Sequence, residues 1–167
     1  VDRYGAFQQE RDWGFAYSSV IPSDACTSYI IDDIEGTIPK DLVGTYYKTG
    51  PGKFESADGR RYEHVLDGDG FVAAFTFGNS NGDDDNNDGG GVRYTGRFVE
   101  TEYYLDEQIQ QTIRYRSVFG TQRAGGPFAN AFDLTLKNVA NTNIISWGNR
   151  LFALFEAGRP YELDPDT

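Results

Sequence analysis

Few side chains in this sequence are of the types that do chemistry, and their scarcity narrows the options. There is one histidine, His64, and one cysteine, Cys26. A single imidazole cannot build a histidine-based metal site, and a single thiol excludes an intrachain disulfide and a cysteine-based zinc site. No nucleophile motif such as GxSxG accompanies His64, so it reads as a strand-end residue that hydrogen bonds locally. Cys26 reads as a structural thiol in a reduced, intracellular compartment. The carboxylates offer more. Glu156 ends the apolar run LFALF and shares a face with Phe152 and Leu154. Two readings follow. It is either an exposed residue at a strand end, or a buried carboxylate that needs an imidazole N–H or an arginine as partner.

Two further acidic stretches resemble ligand loops only superficially. LDGDGF (66–71) lacks the third glycine of a dinucleotide loop, and a strand follows where a helix should start. Asp67 and Asp69 alone are too few to hold a metal, so they read as turn residues bonding nearby backbone amides. In GNSNGDDDNNDGGG (78–91), Asp84, Asn86, Asp88 and Gly89 match the first half of a calcium loop. The position that should carry a bidentate glutamate is Thr95. This stretch has no apolar residue and reads as a disordered, hydrated insertion at a hairpin tip.

The elements that must position these groups are mostly strands. Aromatic residues make up 15% of the chain and there are 20 glycines, a composition of strands and tight turns. IPKDLVG (38–44) reads as one helical turn, and GTYYKTGP (44–51) as a short strand closed at Gly50-Pro51. Phe71, Ala73, Phe75 and Phe77 share one face of a strand that pairs with a second strand over Val92–Thr101. Asp106 is placed to cap a short helix over Glu107–Tyr115. Residues 120–132 are loop-like. Strands are then expected over Asn143–Trp147, Leu151–Phe155 and Pro160–Leu163. Residues 1–33 are weakly patterned and read as an irregular N-terminal arm. The expected class is all-β, as blades of a propeller or a sandwich.

Charge and hydropathy set outer bounds. A net charge of −11 argues against a nucleic-acid partner, which would need a basic face. No apolar run is long enough for a membrane-spanning helix, so any membrane contact is expected to be peripheral. The chain contains no methionine, even at position 1, and is read as processed or partial.

Taken together, five segments resemble the carotenoid cleavage oxygenases, a family that includes the retinal-pigment-epithelium isomerase. GTIPKDLVGTYYKTGP (36–51) is similar to that family's opening signature, and HVLDGDGF (64–71) to its His-x-Phe-Asp-Gly-Asp-Gly-Met segment. VRYTGRFVET (92–101) resembles the strand that follows. KNVANTNII (137–145) and RLFALFEAGRPYELDPDT (150–167) resemble its Ala-Asn-Thr-Asn and Leu-x-Glu-x-Gly-x-Pro-Tyr-x-Leu-Asp-Pro-x-Thr segments. The segments occur in the family's order. Lys48 stands where the family usually has arginine, and Phe71 where it has methionine.

The resemblance implies the first blades of a seven-bladed β-propeller over residues 34–167. Ferrous iron (Fe2+) would sit on the propeller axis, held by four histidines, three of them steadied by glutamates. The implied activity uses O2 to split a conjugated C=C bond of a carotenoid or apocarotenoid, giving two carbonyl products. Glu156 falls where the family places its first supporting glutamate, accepting a hydrogen bond from an iron-bound histidine. Thr142 aligns with a position beside the iron, where its methyl group would crowd an open coordination position. His64 aligns with a histidine that is not a ligand, and the iron-binding histidines are expected beyond Thr167. On its own, this chain is expected to hold no iron and to be inactive. The resemblance leaves plastid and cytoplasm both open as the compartment. Two other readings compete: a non-catalytic propeller scaffold of the same ancestry, and a calcium-binding β module.

Overall fold

The computed structural model describes residues 18–20, 25–78, 92–131 and 135–165. Two antiparallel sheets dominate. The first has strands β1 (Cys26–Ile31), β2 (Gly44–Lys53), β3 (Asp69–Phe77) and β4 (Val92–Phe98), in the order β1-β4-β3-β2. The second is a meander of β5 (Asn143–Trp147), β6 (Arg150–Leu154) and β7 (Tyr161–Leu163). Two short helices, α1 (Glu102–Gln110) and α2 (Gly126–Asn130), lie in sequence between the sheets.

In the first sheet, period-two alternation sorts two kinds of side chain onto opposite faces. Register aligns Tyr46 with Phe75, Phe75 with Tyr94, and Tyr94 with Tyr29, so one aromatic row crosses all four strands. Its ring centroids are 6.3, 5.4 and 5.0 Å apart in that order. The opposite face carries Val72, which packs with Val99, Ala140 and Ala153 as the core joining the two sheets. Tyr47, Ile144, Tyr161 and Leu163 close around it.

The expected β3–β4 pairing forms. Residues 79–91, nearly all of the expected insertion, lie outside the described residues. Four expectations need correction. Cys26–Ile31, assigned to an irregular arm, is strand β1, whose six residues all pair with β4. Strand β2 does not stop at Gly50-Pro51 but runs to Lys53 through an irregularity in register. Proline is tolerated there because β2 is an edge strand with no second neighbour to receive an N–H. Asp106 does not cap the helix. Thr101 does, its hydroxyl accepting from the Tyr104 N–H at 3.1 Å, so α1 starts five residues earlier than expected, at Glu102 rather than Glu107. The loop-like stretch 120–132 contains the short helix α2, with Pro127 in its first turn.

Candidate functional site

Glu156 lies just past the end of β6, in a turn. The buried face of its strand belongs to Leu151, Ala153 and Phe155, whose parity is opposite to that of Glu156. Glu156 is exposed within this chain. It is nonetheless held. The hydroxyl of Thr142 donates to its Oε2 at 2.7 Å. Thr142 is itself fixed by its backbone, whose N–H donates to the Leu154 carbonyl at 3.1 Å. The two residues singled out from the sequence, fourteen positions apart, therefore form one hydrogen-bonded pair. Among the described residues, no hydrogen bond reaches the other oxygen of Glu156.

Thr142 ends a segment, Lys137 to Thr142, that is neither helix nor strand, although Lys137, Asn138, Val139, Ala140 and Asn141 are all buried. Buried irregular backbone must find partners for its polar groups. The Val139 carbonyl accepts from the Gly70 N–H at 2.8 Å. The Asn138 side chain donates to the Arg159 carbonyl at 2.9 Å and accepts from the Ala140 N–H at 3.1 Å. Asn141 donates to the carbonyls of Leu66 and Gly68, at 2.9 and 2.7 Å. Gly70 must be glycine, because a Cβ there would meet the backbone of Ala140 and Val139. Ala140 takes a left-handed φ of 47°, a conformation costly for a residue with a Cβ.

The DGDG turn supplies the other side of this lattice. Asp67, expected to bond backbone amides, accepts from the N–H groups of Phe119 and Thr121, at 2.9 and 3.0 Å, and from the Thr121 hydroxyl at 2.7 Å. Asp69 does something different. It contacts the buried ammonium of Lys137 at 2.6 Å. Glu107, on α1, contacts the same ammonium at 2.6 Å, and the Tyr62 hydroxyl accepts from it at 2.6 Å. Burial, reinforced by the charges of Asp69 and Glu107, pushes the Tyr62 phenol far above its usual range, so it stays a neutral donor. Sequence reading missed Lys137 and Glu107. The one signal available was a lysine inside an otherwise neutral motif.

The remaining candidates are accounted for locally. His64 Nδ1 accepts from the Leu66 N–H at 3.2 Å, and its ring stacks on Phe119. Cys26 is exposed and accepts from Arg97. Among the described residues, no group of three or more His, Cys, Asp or Glu could hold a metal ion. No described helix is long and apolar enough to cross a membrane.

Comparison with known proteins places this architecture. The family described as retinal pigment epithelial membrane protein matches residues 22–167. The chain belongs to that family. Within it, the chain is 46% identical over 157 residues to the apocarotenoid-15,15'-oxygenase of Synechocystis sp., covering 94% of this chain and 29% of that protein. It is 39% identical over 137 residues to the chloroplastic carotenoid cleavage dioxygenase 7 of Oryza sativa subsp. japonica, covering 80% of this chain and 21% of that protein. A solved structure of the Synechocystis apocarotenoid oxygenase, with a glutamate changed to glutamine, superposes with a TM-score of 0.80 at 44% identity. That superposition covers 93% of this chain and 30% of the other. The chain thus spans less than a third of the length of these relatives, and its two sheets are part of a propeller of the retinal pigment epithelial membrane protein family.

Proposed function

We propose that this chain is the N-terminal portion of an iron(II)-dependent oxygenase that cleaves one conjugated C=C bond of a carotenoid or apocarotenoid. One molecule of O2 and one C=C bond give two carbonyl groups, so the atoms balance. The observation that carries this reading is the Thr142–Glu156 hydrogen bond, which locks a carboxylate in place with one oxygen still open. Two solved Synechocystis variants support it. One is changed at a glutamate and the other at a threonine, with the same fourteen-residue spacing. A cobalt-substituted form of that enzyme supports a metal centre in the family.

The residues present fit the support of such a centre rather than its ligand set. The single imidazole, His64, is engaged with the Leu66 N–H through Nδ1. The ligand histidines therefore come from the rest of the parent polypeptide. When bound, ferrous iron supplies the O2 chemistry. Glu156 accepts the far N–H of one ligand imidazole, which fixes its tautomer, orients its ring and raises its basicity. Thr142 holds Glu156 through its hydroxyl, and by the family resemblance its methyl group would face the metal. Alone, the 167-residue chain binds no iron and cleaves nothing.

The test uses the full-length parent. Glu156→Gln keeps the shape but removes the charge. Apocarotenoid cleavage is expected to fall about tenfold or more, with reduced iron occupancy in the purified protein. Unchanged turnover and iron content would remove Glu156 from the centre. Full-length protein that cleaves no carotenoid and carries no iron would instead establish the scaffold reading.

A further inference from the structure

Among the described residues, Lys137 has the largest side chain with essentially no exposed surface. Its ammonium sits 2.6 Å from Asp69 Oδ1, Glu107 Oε2 and the Tyr62 hydroxyl. A second cation lies near the two carboxylates. Lys53, half-buried, lies with its ammonium 5.4 Å from the centre of the Tyr104 ring and is attracted by Asp69 and Glu107. An apolar side chain could fill the same space without the desolvation cost of an ammonium, so stability alone is a poor reason for a lysine here. An apolar group cannot supply direction. Two N–H donors meeting fixed acceptors, Glu107 Oε2 and the Tyr62 hydroxyl, with the charge paired to Asp69, set both the depth and the rotation of the backbone at residue 137.

Those partners come from separate elements. Asp69 opens β3, Glu107 lies on α1, and Tyr62 belongs to the loop before the DGDG turn. Glu107 is itself pinned, because its Oε1 accepts from the N–H groups of Arg114 and Tyr115 at 2.8 and 3.1 Å. From this anchor the backbone runs through buried, individually bonded residues to Thr142, with Ala140 held in its left-handed conformation. Thr142 then holds Glu156.

We propose that Lys137 is a positioning residue: its contacts with Asp69, Glu107 and Tyr62 set the course of segment 137–142 and, through Thr142, the orientation of the Glu156 carboxylate. This rests on the role given to Glu156 above. It assigns that role a control point that touches neither Glu156 nor any reacting atom.

The test is a coupling experiment in the full-length parent. Lys137→Met alone leaves two buried carboxylates facing each other and is expected to fold poorly. The working variant therefore combines Lys137→Met with Asp69→Asn and Glu107→Gln, which removes the three fully buried charges together and leaves only the half-buried Lys53. This neutralised variant is compared with Glu156→Gln and with the combination of both. If Lys137 acts through Glu156, the neutralised variant lowers turnover about tenfold or more. Adding it to Glu156→Gln then costs no more than about twofold further. A second readout uses metal-free protein. Hydrogen exchange of amides in 138–145 should rise in the neutralised variant, while amides of the β1–β4 sheet stay protected. Independent effects that multiply to about a hundredfold, or unchanged exchange in 138–145, overturn the Lys137 proposal and leave Glu156 in place. A Glu156→Gln variant with unchanged turnover and iron occupancy overturns both.

Discussion

The two ends of the four-stranded sheet are built by different physics. At the β3–β4 hairpin end, order comes from ladder pairing and a row of rings, with Tyr29 and Tyr46 more than half exposed. At the opposite end, where β3 begins, regular structure stops and buried polar groups take over. Asp67 holds the 119–121 loop, Asn141 holds the DGDG turn, and Lys137 joins three elements. The first end tolerates change because each cross-strand contact contributes little on its own. The second does not, since every lost partner strands a buried donor, acceptor or charge. The proposed site grows from the second end, and this suits its task. Orienting a carboxylate needs directional bonds, which apolar packing does not provide.

Substitutions at the two ends should therefore differ in size, and the largest effect belongs to Lys137. Lys137→Met should destabilise the full-length protein by about 3–5 kcal/mol in urea unfolding, since Asp69 and Glu107 lose their shared cation. Neutralising those two carboxylates as well should recover most of that loss. Recovery would show that the cluster serves placement, and its absence would show that the cluster is a net source of stability. Next comes Asp67→Ala. It leaves the N–H groups of Phe119 and Thr121 without their acceptor and should cost about 1–3 kcal/mol per stranded group, read from the urea midpoint. Tyr29→Ala, at the outer end of the aromatic row, should cost less than about 1 kcal/mol by the same measurement. A larger loss there would erase the contrast between the two ends.

The smallest effect concerns pH. Hydrogen bonds from the Ser56 and Thr112 hydroxyls hold the Asp58 carboxyl down at about 2, although Asp58 is fully exposed. A depressed carboxyl contributes stability above its ordinary value and loses it as pH falls through the folded one. The link from the 56–60 turn to Thr112 should therefore persist at pH 4 and weaken only as pH falls from about 3.8 toward about 2. The Asp58 carboxyl resonance, followed by NMR titration, should have its midpoint near about 2.

How much of this could be read from residues alone follows the same division. The aromatic alternation in β3 and the Gly148-Asn149 turn between β5 and β6 have local signatures, and β5 falls on its expected residues, Asn143–Trp147. The motif segments located Thr142 and Glu156, but not the bond between them, which depends on how β5 and β6 meet. Asp69 was misread because a DGDG turn offers two chemically identical carboxylates, and only tertiary packing sends one to amides and the other to an ammonium. Thr101 was overlooked as a helix cap because no Glu or Gln stands three residues on, where Tyr104 lies. Strand β1 escaped because CTSYII has little alternation, and its partner β4 is more than sixty residues away.

A crystal structure of the full-length protein is the most direct measurement of the central claim. There, Glu156 is expected to keep its bond to the Thr142 hydroxyl while its other oxygen accepts from a metal-bound imidazole N–H at about 2.7–3.2 Å. A structure in which Glu156 faces bulk water, or in which the only imidazole within reach binds no metal, would contradict it.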